Sequence, residues 1–89
     1  MRLVRIVEAK PLEGHRVWLR FDDGSEGVVA FDEAELTGVM APLKEPAFFA
    51  QVYVEPEFGA LAWPGEIELD PLALYERATG KPLTEKAPS

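Results

Sequence analysis

Apolar and polar positions alternate with a period of two along most of this chain, which is the mark of strands that bury one face. The alternation is plainest at Arg16-Val17-Trp18-Leu19-Arg20-Phe21, so residues 15–21 are read as a strand. Residues 2–9 form its expected partner, and Lys10-Pro11-Leu12-Glu13-Gly14 is the turn-forming loop between them. A symmetric hairpin sets Ala9 opposite Arg16, Val7 opposite Trp18 and Arg5 opposite Arg20. One face then carries Val4, Ile6, Val17, Leu19 and Phe21 as core. The other carries Arg5, Val7, Arg16, Trp18 and Arg20.

The turn Asp22-Asp23-Gly24-Ser25 leads to a third strand at about 26–31, with Gly24 supplying the positive φ. Asp32 is placed to cap one helical turn that Gly38 ends. Residues 41–46, with Pro42 and Pro46, are expected to be irregular, and Pro46 to start a short turn pointing Phe48 or Phe49 inward. Residues 51–55 and 60–63 alternate as a second hairpin, and Ile67 and Leu69 alternate with Glu66 and Glu68. Asp70-Pro71 is a helix start, a capping carboxylate followed by a residue whose fixed φ suits the first helical position, and the helix runs to about Gly80. The expected fold is α+β: a mostly antiparallel sheet of about five short strands with short helical turns and one C-terminal helix. Residues 1–80 form a single domain, and 81–89 have little to bury and are expected to fray.

Composition narrows the chemistry. The 89 residues include no cysteine and one histidine, which removes disulfides, thiolate metal sites, thiol nucleophiles and histidine pairs. No serine lies in a nucleophile elbow, and no phosphate-binding glycine loop occurs. No catalytic residues and no cofactor are therefore assigned. Asp22, Asp23 and Glu26 at one hairpin tip have the oxygen chemistry for a hard cation such as Ca²⁺, although aspartate is favoured in turns for its own sake. No run reaches the roughly 20 apolar residues of a membrane helix, and Arg5 and Glu8 break any signal-peptide core, so the expected location is the cytoplasm. The absence of Asn and the eight prolines fit either a thermophile or a GC-rich genome.

The formal charge is -7, which argues against direct binding of nucleic acid. It is unevenly spread. Residues 1–20 carry five bases (Arg2, Arg5, Lys10, Arg16, Arg20) against Glu8 and Glu13, whereas residues 21–79 carry two bases and thirteen acids, a net of -11. The picture is a basic two-stranded ribbon on an acidic body, unless the two cancel within the fold. Arg5, Arg16, Trp18 and Arg20 form the candidate interaction surface, since tryptophan and arginine dominate interface hot spots. The alternative is that an element of the chain itself covers this face. Trp63, before Pro64-Gly65, is read as core.

Phe21-Asp22-Asp23-Gly24, Gly27-Val28-Val29, Gly38, Pro42-Leu43-Lys44-Glu45-Pro46-Ala47-Phe48-Phe49, Trp63-Pro64-Gly65, Glu68-Leu69-Asp70-Pro71 and Leu74-Tyr75 follow one another in an order that resembles the small bacterial family called domain of unknown function 2442. The likeness spans about residues 3–77, with Glu68 standing where the family often has Asp. It brings no activity and no catalytic residues. It implies an arrangement in which relatives are encoded beside a small basic protein, as in a toxin–antitoxin pair. Gly24, Trp63, Gly65, Pro71 and Tyr75 read as fold determinants whether or not the likeness holds. The function expected is a non-enzymatic interaction module, the acidic antitoxin-like member binding a small basic partner. The alternatives are a homodimeric structural or regulatory protein and a carboxylate-based cation binder or enzyme.

Overall fold

The structure, a computed structural model, describes residues 4–80. The expected tail at 81–89 and the first residues of the expected first strand lie outside that range. Six strands form two three-stranded antiparallel sheets, where about five strands in one sheet were expected. The first sheet contains β1 (Ile6–Leu12), β2 (Arg16–Phe21) and β3 (Glu26–Ala30), in that order. The second contains β4 (Tyr53–Glu55), β5 (Ala60–Trp63) and β6 (Ile67–Leu69). The added strand is the Ile67/Leu69 alternation. β1 approaches the β4–β5 hairpin through one backbone bond, Ile6 N–H to the Gly59 carbonyl at 2.9 Å.

The β1–β2 register differs from the symmetric hairpin. Leu12 pairs with Arg16, Lys10 with Trp18 and Glu8 with Arg20, because the turn shrinks to Glu13-Gly14-His15. Gly14 and His15 both take positive φ there. Pro11 stays in β1 because an edge strand need not donate at every residue. A register irregularity between Ile6 and Glu8 then restores Ile6 to a place opposite Phe21. The expected core face therefore survives the shift: Val4, Ile6, Val17, Leu19 and Phe21 are all buried.

The segment from 33 to 49 is helical almost throughout. Two 3₁₀-helices, Glu33–Glu35 and Gly38–Lys44, precede α1 (Pro46–Phe49). The stretch around Pro42 is thus regular, not irregular as expected. Proline's fixed φ is compatible with a helical turn, and the i→i+3 bonds from Met40 N–H to Thr37 O and from Glu45 N–H to Pro42 O use other donors. Gly38 (φ +60°) opens the second of these helices.

α2 (Pro71–Thr79) begins with the Asp70 side chain accepting from Leu72 N–H at 2.9 Å and ends at Gly80 in the left-handed region (φ +74°). It packs on the inner face of β3 through Leu74 and Tyr75. The Tyr75 hydroxyl donates to Asp23 Oδ2 at 2.8 Å, tying the helix to the β2–β3 turn. Trp63 is fully buried, and its Nε1–H donates to the Phe49 carbonyl at 2.8 Å.

Candidate interaction surface

The outer face of the first sheet is a three-by-three grid set by the two registers. Glu8, Arg20 and Glu26 make one row, Lys10, Trp18 and Val28 the next, and Leu12, Arg16 and Ala30 the third. α2 packs on the opposite face, against β3, and no helix among the described residues lies over Trp18. Trp18 is half-buried, while Val28 and Leu12 beside it are exposed. Three of the four residues expected at an interaction surface, Arg16, Trp18 and Arg20, share this face. Arg5 does not, which corrects the expected placement. Its guanidinium donates to the Pro56 carbonyl at 2.7 Å and the Glu57 carbonyl at 3.0 Å, closing the β4–β5 turn. The shifted register gives Arg20 a different neighbour, Glu8.

The cations of this face are held by short-range partners. Arg20 pairs with Glu8 at 2.7 Å, and Lys10 lies 3.7 Å from the same carboxylate. The Lys10 ammonium, not an arginine, sits over the indole, 5.4 Å from the Trp18 ring centroid. Arg16 Nε–H donates to the Glu13 carbonyl at 2.8 Å. Lys10, Arg16 and Arg20 are thus engaged within the first sheet and its turn, not by carboxylates of the acidic body. Within the body, Arg77 pairs with Glu35 at 2.9 Å and also donates to the Ala30 carbonyl. Asp22, Glu33, Glu45, Glu57, Glu66 and Glu68 have no ion pair among the described residues.

These pairs lower two carboxyl pKa values. The Arg20 hydrogen bond holds Glu8 below its ordinary 4.5, with Lys10 adding to the effect. The Asp32 backbone N–H does the same for Glu35, helped by Arg77. A depressed carboxyl stabilises the fold above its unfolded-state pKa and loses that contribution as pH falls through its folded value. The urea midpoints of the native chain and of a Glu35→Gln variant should therefore differ near neutrality and converge as pH falls below the ordinary carboxyl value of 4.5. A gap that stays constant as pH falls would remove the linkage.

Of the hairpin-tip acids, Asp23 is occupied by the fold. Asp23 Oδ1 accepts from Ser25 N–H at 2.9 Å while Oδ2 holds Tyr75, and no group of three or more potential ligands is placed to hold a metal among the described residues. His15 is a turn residue: Nε2–H donates to the Lys44 carbonyl at 3.0 Å, and its ring stands edge-on to Phe49. No helix among the described residues is long and apolar enough to cross a membrane.

One surface had no signal in the period-two pattern. An apolar groove of about 610 Å³ is lined by Val39, Pro42 and Phe48 on one side and by Pro64, Gly65, Glu66 and Ile67 on the other. Its walls come from the second 3₁₀-helix, α1 and the β5–β6 turn, short elements that meet across the fold and that a period-two pattern does not bring together.

A family model described as protein of unknown function (DUF2442) matches residues 6–80, and the chain belongs to that family. No curated protein and no solved structure matches it.

Proposed function

We propose that this member of the DUF2442 family is a non-enzymatic interaction module whose acidic body binds a small basic protein, in the manner of an antitoxin. The observation that supports this reading is the charge layout. The arginines and lysine of the first sheet are engaged within that sheet, so the carboxylates of residues 21–79 keep a large net negative charge facing solvent. Such a field raises the encounter rate with a basic partner and rejects acidic ones. The test is co-expression with the product of the adjoining gene, followed by titration at two salt concentrations. Changing Glu45, Glu57 and Glu68 together to Gln should weaken binding about ten-fold at low salt and flatten its salt dependence. Unchanged affinity would overturn the electrostatic reading, and no complex at micromolar protein would overturn the pairing itself.

A second reading, self-association through the open Trp18 face, draws on the exposed Val28 and Leu12 beside that ring. Stacking two copies about an axis along the strands sets Arg20 on Arg20, and an axis across them sets Arg20 on Arg16. Like charges in contact oppose both arrangements. Light scattering at two concentrations separates the readings, with a constant monomer mass favouring the first.

A further inference from the structure

From the groove between the second 3₁₀-helix and the β5–β6 turn, we infer a docking site for an apolar side chain carried on a basic segment of a partner protein, with Glu66 pairing the flanking cation. This rests on the reading of the chain as a binder of basic partners and names the place where such a partner is gripped.

Three features converge at the groove. Its walls are apolar, and Val39 on the rim is 79% exposed, more than any other large hydrophobic residue of the described chain. An exposed aliphatic side chain beside a concavity is an unfilled contact surface. The only charged side chain in the lining is Glu66, and it has no ion pair among the described residues. Glu66 also has φ +67°, directly after Gly65 at +91°. Glycine or asparagine occupies such a position with least strain, and a glutamate there points to a role for its side chain beyond the turn.

Charge selects the occupant. A second copy of this chain brings a net charge of -7 toward an acidic rim and is repelled. An acidic segment is excluded for the same reason. A neutral apolar segment would leave Glu66 unmatched beside the contact. A leucine-sized side chain between lysines or arginines fills the apolar walls and pairs the carboxylate.

The probe is a fluorescein-labelled peptide, Gly-Lys-Lys-Leu-Lys-Lys-Gly, with a serine-for-leucine control, titrated into the full chain while methyl resonances are followed by NMR. The leucine peptide should shift the Val39 and Ile67 methyls and bind about five-fold tighter than the serine control. Val39→Ser should reduce that preference. Glu66→Gly should weaken binding about three-fold and yet raise the thermal midpoint by a few degrees, because it relieves the left-handed backbone. A merely structural role for Glu66 would not move stability and affinity in opposite directions. Binding that leaves these methyls unmoved, or that treats leucine and serine alike, overturns the groove and leaves the basic-partner reading standing. If neither cationic peptide binds, both readings are overturned.

Discussion

Trp63→Ala is expected to remove most of the stability of this domain. The indole is fully buried between Phe49, whose ring centroid is 5.6 Å away, and Phe31, at 6.3 Å. Truncating a buried tryptophan costs about 3–5 kcal/mol, from lost transfer energy and the cavity left behind. The Phe49 carbonyl also loses one donor, Trp63 Nε1–H. The carbonyl keeps the Val52 N–H at 3.3 Å, so the lost bond adds about 0.5–1.5 kcal/mol. Domains of this size are stable by about 5–15 kcal/mol at most, so the variant should be largely unfolded or should melt at low urea. Trp63→Phe separates the two contributions. It keeps an aromatic ring against Phe31 and Phe49 and loses the hydrogen bond, so its loss should fall well below that of alanine. Urea unfolding followed by far-ultraviolet circular dichroism measures both. A loss under about 1 kcal/mol for alanine would mean that the core closes over the gap.

The two tryptophans show how far the chain's pattern could be read. Trp18 alternates with Val17 and Leu19, so its outward direction follows from period two once those are core. That direction held even though the β1–β2 pairing was displaced, because parity along β2 does not depend on its partner. Arg5 is the opposite case. Its placement depended on turn length and on the irregularity near Val7, and no local rule fixes either one. The short turn rests on His15 accepting a left-handed backbone, held by the Lys44 carbonyl 29 residues away. Likewise Asp23 is a favoured turn residue by composition, but its bond to Tyr75 joins positions 52 apart. The groove at Val39 and Glu66 is assembled from a 3₁₀-helix, α1 and the β5–β6 turn, and neither periodicity nor capping signals which of their side chains meet. The charge asymmetry, by contrast, was legible as a count, whereas the partners of Glu8 and Glu35 depend on strand register and on how α2 docks.

Gly27→Ala should destabilise the chain by about 3 kcal/mol or more, against the local preference of a strand, where alanine is better than glycine by about 0.5–1 kcal/mol. Gly27 pairs with Leu19 in β2 and lies on the inner face of β3, beneath α2. A Cβ there would overlap the Ala78 carbonyl oxygen and stand 2.6 Å from the carbonyl carbon. The obstacle is backbone, so no rotamer change can clear it. α2 must lift as a unit, and the contacts that seat it are lost together: Leu74 and Tyr75 in the core, Tyr75 to Asp23, and Arg77 to Ala30 and Glu35. Gly24→Ala is the informative comparison. Gly24 has φ +90° with nothing within 4 Å of the added atom, so only turn strain is incurred, about 1–2 kcal/mol. Hydrogen exchange distinguishes the mechanisms. In Gly27→Ala the α2 amides should lose protection before those of β1 and β2, whereas Gly24→Ala should loosen the whole domain slightly and evenly. If Gly27→Ala matches or exceeds the native stability, α2 is not seated by this close approach, and the glycine of the Gly27-Val28-Val29 stretch needs another explanation.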